Sequence, residues 1–600
     1  MQNNVIEEFW QNEIKRSEQI RRYHEPRWRK ARRNYENRFW KPNKKKQDMD
    51  YIERPNFYST VETMVANLAA NPPIVTVTPY KGSYDVQAKI VQPALKYYGN
   101  VNDIHFLAQE WIKDCCIFNI AVAKIGYNAD GDYDIEADAP FVRRVTPFNM
   151  LIDPEATCQR DARWEGEQYF IDWETVLANK DNYINLDRAE SMISEYVTNP
   201  EINNYNDEMV GDTNKAFPIA ETGSPNVTPN KVKRLKIFEI YDKKERKILL
   251  LVNGQVPIQV RDFPEYIKDS PYCYLRFNIT PDFFFGRTDY DISESLYLEL
   301  NVLSNRMVEY SRRMIPKWIG NKAAMEQSDW SKLLRSEMCE VIPVQGNVPP
   351  ENALIPIPVV GLPKENIELL QLLTQQLNET TGITDFAKGS GGGAKTATEA
   401  SLIQAGATTR SAFRQRQIDR FITEIYRKLF LVLKHTITAP KFIALAGKYP
   451  LMQIDEATGQ SIIIQDEYGN PIINKQDGFF LTPDLLQADL QIEIEGGSMA
   501  YANSIQKLQS DLNTYNLLAN NPLVNQRFLI KQIAKHSNID PDELLLEQPP
   551  QQMVNPANPE QATAPVQPNA PSSLRSLNEG NINKNAINTV MNAGNLNQLG

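Results

Sequence analysis

Apolar positions along this chain change spacing several times, and each change marks an element. Val61, Met64, Val65 and Leu68 recur at helical intervals and predict a helix over 56–71, closed by Asn71-Pro72-Pro73. Ile74 to Thr78 is β-branched and reads as a strand; helices are predicted over 85–98, with Pro93 as a kink or boundary, and over 105–117. Ile120 to Tyr127 reads as a strand, Ala129-Asp130-Gly131 as a turn, and Tyr133 onward as the returning strand. Phe141 to Asp153 is again extended, 200–231 looks like an exposed polar insertion, and strands resume over 235–241 and 247–252.

The middle of the chain is different. Ile292, Leu296, Leu300, Leu303, Met307, Tyr310 and Met314 step by 4, 4, 3, 4, 3 and 4, one face of a long helix that Pro316 ends. A Pro-rich stretch over 316–362 contains strand-like 340–344 and 353–360. A second helix then runs from Pro363 to Thr381, before Gly382, with Ile367, Leu370, Leu373 and Leu377 on its apolar face. A third is predicted over 398–436, with a stripe of Phe413, Ile418, Phe421, Ile425, Leu429 and Val432. At 1.5 Å per residue it is a rod of ~60 Å, longer than a small enzyme core needs. Strands are expected over 461–464 and 490–494, and helices over 500–518 and 523–535. From Glu547 onward eleven Asn, many Gln and Pro and no aromatic residue predict a disordered tail.

Six hundred residues imply several packed units of mixed α+β class. No apolar run is long enough for a membrane helix, and residues 1–10 lack the apolar stretch of a secretion signal. The five cysteines at 115, 116, 158, 273 and 339 form no C-x-x-C pair, and only four histidines are present. Free structural thiols in a reducing cytoplasm are expected, with neither metal nor cofactor. The net charge is −10, yet Lys15 to Lys46 holds fourteen Lys or Arg against three Glu. That segment suits an amphipathic helical arm contacting an assembly partner more than one reading nucleic acid.

Three places suggest chemistry. Asp130-Gly131-Asp132-Tyr133-Asp134 resembles a calcium loop, but its glycine is misplaced and Phe141 stands where the closing glutamate belongs, so a hairpin turn fits better. Gly389-Ser390-Gly391-Gly392-Gly393-Ala394-Lys395-Thr396 nearly spells a phosphate-binding loop. Ala394 replaces the last glycine, however, and the preceding element is an amphipathic helix rather than a buried strand. The mechanical alternative is a flexible link with Lys388 and Lys395 at its edges, a cationic girdle that follows phosphates without reading bases. Thr396 and Glu399 fit a capping box for the next helix. Asp282, Asp289 and Asp291 suggest a metal nuclease, yet they stand where carboxylates complement a helix dipole.

The order of these elements resembles the portal proteins of tailed phages, especially short-tailed ones, over most of 50–545. The resemblance rests on Phe285-Gly286-Arg287-Thr288-Asp289 leading into the long helix, then the inserted stretch, second helix, glycine-rich loop and Thr396-Ala397-Thr398-Glu399. The strand from Ala121 to Tyr127, Val145-Thr146-Pro147 and Ile152-Asp153-Pro154 look like that family's wing region. It implies a wing over 51–285, a stem helix over 286–315 and a clip over 316–362. A second stem helix (363–384), tunnel loop (385–396), long wing helix (397–438), wing β region (439–499) and helical crown (500–546) follow, while the basic arm over 1–50 and the tail over 547–600 depart from that family. The stem helix would pack through Ile292, Leu296, Leu300, Leu303 and Met307, and Lys388, Gly389, Gly391, Gly392, Gly393 and Lys395 would face DNA. The implied assembly is a non-enzymatic ring, normally of twelve subunits, at the portal vertex of the virion, assembled in the host cytoplasm. Double-stranded DNA would pass through it, and terminase large subunit, capsid and scaffold proteins and tail adaptors would be its partners. The competing readings are a tail adaptor ring, a P-loop packaging ATPase or nuclease, and a host DNA-binding protein.

Overall fold

The computed structural model describes residues 2–39, 52–129, 138–197, 231–314, 318–320, 349, 354–356, 363–383, 397–455, 460–466 and 471–500, with a few positions over 512–533. The chain divides into two units, 1–510 and 511–600. In the second, the described residues 512, 514–518, 529, 530 and 533 are helical. The expected insertion, most of the inserted stretch, the glycine-rich loop and the tail lie outside the described residues.

The first unit opens with helices α1 (Gln2–Tyr35) and α2 (Asn56–Leu68), strand β1 (Val75–Pro79), then α3 (Asp85–Val101) and α4 (Ile104–Phe118). Strands β2 (Ala121–Asn128), β3 (Ala139–Val145), β4 (Met150–Ile152) and β5 (Trp164–Asp172) follow, then short helices α5 (Trp173–Ala178) and α6 (Leu186–Glu190). Next come β6 (Ser194–Val197), β7 (Lys231–Asp242), β8 (Lys247–Val252), β9 (Val256–Asp262) and β10 (Tyr272–Leu275). The early helices fall where the apolar spacing put them. α3, however, continues through Pro93, so that proline is no boundary.

Two sheets build the central layers. β10, β2 and β3 form one, and β4-β5-β7-β8-β9 the other, with β6 joined to β7; all pairings are antiparallel. Strand alternation gives the larger sheet two covered faces. One face presents Leu151, Trp164, Phe238, Ile240, Leu249 and Leu251 to Trp10 and Ile14 of α1. The basic helix is therefore part of the body: Trp28 is 1% exposed and packs edge-on against Phe118, Phe148 and Phe285. Truncating such an aromatic typically costs ~3–5 kcal/mol.

The other face meets the smaller sheet through charge. Lys124 of β2 donates to Glu167 of β5 at 2.6 Å and to Glu239 of β7 at 2.8 Å, while Tyr241 donates to the second oxygen of Glu239 at 2.6 Å. Arg143 reaches Glu167, and Lys243 pairs with Glu165, which also accepts from Ser270 and Tyr274. Three cations thus face three buried carboxylates. Burial alone would raise the Glu239 pKa, but Lys124 and the Tyr241 hydroxyl outweigh it and hold the carboxyl below its usual range.

After β10 come α7 (Asp289–Arg313), β11 (Trp318–Gly320), β12 (Leu354–Pro356), α8 (Lys364–Thr381) and α9 (Ala397–Thr436). β13 (Lys441–Ile443), β14 (Gly447–Pro450) and β15 (Met452–Ile454) form a ribbon with β18 (Phe479–Leu481), β17 (Ile473–Gln476) and β16 (Ser461–Ile463), respectively. The short α10 (Pro483–Leu486) leads to β19 (Leu490–Ile494), which returns to pair with β1. α9 lays Ile418, Phe421, Ile422, Ile425, Leu429 and Leu433 into the core, packing on β2, β3, β10 and β19. Phe413, expected in that stripe, is 61% exposed, like its neighbours Ser411 and Ala412; the buried positions described on this helix start at Gln415.

Two stability measurements follow. Lys124→Met leaves Glu167 and Glu239 undercompensated and is expected to lower unfolding free energy by ~3–5 kcal/mol. Neutralising all three, with Lys124→Met, Glu167→Gln and Glu239→Gln together, is expected to cost less than the single change in urea titration. His24 stacks beside Trp28 and Phe285, and burial, helped by Arg27, lowers its pKa from 6.5 to about 4. The unfolded chain therefore takes up this proton first. Its contribution to stability is present above about pH 6.5 and is lost as pH falls toward 4. Melting curves of His24→Gln should show a smaller loss across that window than those of the unaltered chain.

Candidate functional site

α7 and α8 form an antiparallel hairpin. The start of α7 and the end of α8 share one cleft, while β11 and β12, beyond their other ends, pair through Trp318–Pro356, Ile319–Ile355 and Gly320–Leu354. Leu300 is buried, Leu296, Leu303 and Met307 are half-buried, and Leu296, Leu370 and Leu373 pack against the core. Ile292 differs from expectation: it is 49% exposed. The fully buried side of α7 is instead Tyr290, Ser293, Tyr297, Leu300 and Asn301, and Ile292 points from the first turn into the cleft.

The beginning of α7 is fixed from several directions. Thr288 accepts from the Asp291 amide at 2.9 Å, and the Asp291 carboxylate accepts from the Thr288 amide at 3.3 Å, a reciprocal cap. Asn119, in left-handed conformation at the end of α4 (φ 61°), exchanges two hydrogen bonds with the Asn278 backbone, at 2.7 and 2.8 Å. The Asn278 side chain in turn donates to Asp289 at 2.8 Å. Gly286 lies so close to the Asn278 carbonyl and the Asn119 amide that a Cβ there would overlap both. The Phe-Gly-Arg-Thr-Asp run is thus a set of steric and capping requirements.

Arg414 completes the junction. Its two terminal nitrogens donate to the two oxygens of Asp289, each at 2.9 Å, and its guanidinium lies 5.0 Å from the centre of the Phe277 ring. Burial works against its charge, but Asp289 outweighs that and holds its pKa above the ordinary value. The cleft above this pair, about 410 Å³, is lined by Phe277, Ile292, Ser293, Thr381, Phe413 and Arg414. Sequence spacing gave no sign of Arg414, which lies 125 residues from Asp289. The acid-rich helix start was visible, and both Asp289 and Asp291 have structural partners.

The glycine-rich loop departs from this junction. α8 ends at Thr381, Gly382 takes the left-handed cap (φ 73°), Ile383 is buried, and α9 begins at Ala397. Lys388, Gly389, Gly391, Gly392, Gly393, Lys395 and Thr396 lie outside the described residues, as does the side chain of Glu399. Among the described residues no cluster of three or more His, Cys, Asp or Glu is placed to hold a metal, and no helix is long and apolar enough to cross a membrane. Cys115 and Cys116 are buried, which raises both thiol pKa values and keeps them protonated.

Long helices, a small two-stranded ladder and two antiparallel sheets make a mixed α+β fold, consistent with a phage portal. Residues 133–458 match the family model described as phage SU10 portal protein. The chain belongs to that portal family. No curated protein matches the chain.

Asp289→Ala would leave Arg414 buried without its carboxylate. The expected loss is ~3–5 kcal/mol of unfolding free energy, against ~1 kcal/mol for removing the cap with Thr288→Ala. Chemical denaturation of the two variants side by side tests this ranking; equal losses would mean that the ion pair is not what fixes the junction.

Proposed function

We propose that copies of this chain form a closed ring around double-stranded DNA, through which a phage genome is packaged and later ejected. The observation that carries this reading is an unpartnered stripe on α8. Its inner side, Leu370, Leu373, Leu377 and Thr381, serves the fold, but Glu365, Leu369, Leu372 and Gln376 step by 4, 3 and 4 on another face and are all exposed. Leu369 is 44% exposed and Leu372 is 51% exposed. A helix apolar on two faces is suited to a second neighbour.

Charge agrees with that neighbour being another copy. From the aligned ends of the hairpin, about seventeen residues along each helix bring Arg306 of α7 to roughly the height of Glu365 on α8. Both are exposed, and neither makes an ion pair among the described residues. Rotation about a ring axis preserves height, so Arg306 of one copy would meet Glu365 of the next. The remaining outer charges of α8 include Glu368 and Glu379, a lining that would repel phosphate and let DNA slide. In this reading Lys388 and Lys395 face the lumen and touch the backbone transiently. The stretch over 316–362 would dock terminase large subunit and then tail adaptors, and the assembly would sit at the portal vertex, normally with twelve subunits. Hydrolysis belongs to the motor.

Negative-stain images of the assembled protein are expected to show an annulus with an open centre. Leu369→Glu with Leu372→Glu should yield monomers with an unchanged melting temperature; rings from this variant would remove the stripe from the interface. ATP hydrolysis by the purified chain that disappears in Lys395→Ala would replace the channel reading with the ATPase.

A further inference from the structure

α1 separates its charges by face. Its inward side carries Trp10, Glu13, Ile14, Ser17, Arg21, Trp28 and Ala31, all buried. Glu18 and Glu25 are also turned inward, with side chains only 14% and 12% exposed, and they bridge Arg21, Arg29 and Lys236. The outward side from Asn12 on reads Asn12, Lys15, Arg16, Gln19, Arg22, Tyr23, Pro26 and Lys30. Every charged side chain on it is a cation, in a protein whose net charge is −10.

That face is also held rigid. Trp10 packs on Trp164 at one end, and Trp28 packs among Phe118, Phe148 and Phe285 at the other. Lys15 to Lys30 therefore forms a fixed ridge of ~22 Å at 1.5 Å per residue. Lys15 has no acidic partner among the described residues, and Arg22 is 3.5 Å from Glu18. Arg16 pairs with the buried Glu13 and the exposed Glu155, and Lys30 with Glu294; the Glu155 and Glu294 contacts lie on the surface, are worth little in water and are readily exchanged for phosphate. Tyr23 is 66% exposed with Arg27 over its ring at 5.2 Å, a planar platform on the same ridge.

We propose that the outward face of α1 is a docking surface for the sugar–phosphate backbone of double-stranded DNA, separate from the channel. A protein partner is disfavoured because the ridge exposes no Leu, Ile, Val or Met from Asn12 to Lys30, so there is little for an apolar interface to bury. What it offers is pre-ordered positive charge along a line, the feature that sequence-independent backbone binding requires.

The test is binding of the full chain to a fluorescently labelled duplex of about 30 base pairs, by anisotropy, over roughly 50–200 mM salt. Lys15→Gln, Arg16→Gln and Arg22→Gln together should weaken binding at least about tenfold at low salt and lower the slope of log affinity against log salt by about 2–3. Lys15→Gln alone, which breaks no contact, should lower the slope by about 1 and so separates lost binding from lost folding. Lys388→Ala with Lys395→Ala should leave binding to this probe unchanged. Unaltered binding by the triple variant overturns the proposal. So does loss of binding in the loop variant alone, or an acidic peptide of matched charge binding the ridge where duplex does not. None of these outcomes bears on ring formation, which the images decide.

Discussion

The ion pair between Asp289 and Arg414 joins the start of α7 to the long helix α9, 125 residues along the chain. A helix start displaced by one residue turns every side chain on it by about 100°. The direction of α7 therefore depends on where it begins. The Thr288 cap sets that point locally, Asn119 and Asn278 set it against the end of α4, and Arg414 sets it against the long helix. Once these are in place, the inward side of α7 and the level of α8 beside it follow.

A second constraint holds the two sheets together. Lys124 and Arg143 of the smaller sheet meet Glu167 and Glu239 of the larger, and Tyr274 of the smaller donates to Glu165, which Lys243 pairs with from the larger sheet's own side, a layer in which each charge needs its partner. Such a contact adds little net stability over an apolar one, but it penalises any shift of one sheet along the other. α1 then seals the opposite face of the larger sheet. Asn305 binds both the amide and the carbonyl of Ile52, and Asn301 accepts from the Arg54 amide, so the chain ahead of α2 is also tied to α7.

Much of the element order was legible in the sequence because long helices repeat a simple spacing. The ends of α7, α8 and α9 fall within a few residues of the positions that periodicity, Pro363 and Gly382 indicated. Faces were less legible. Ile292 and Phe413 match a helical stripe, yet both are on the open side of the junction, since periodicity cannot tell where a helix leaves its neighbours. Glu239 sits in an alternating strand, where a charge suggests solvent, but a second sheet covers that side. The arm hid its packing because its fully buried apolar residues, Trp10, Ile14, Trp28 and Ala31, are spread among many charges. The Asp289–Arg414 contact was not legible at all: it depends on tertiary closure between residues 125 positions apart.

The three-residue ladder between Trp318 and Pro356 has an evolutionary consequence. It closes the base of the excursion, so whatever lies between Gly320 and Leu354 can lengthen, shorten or change composition without disturbing the helices that carry it. Selection can then act on that cassette alone. A change there would rewrite only a few dozen residues and leave α7 and α8 as they were.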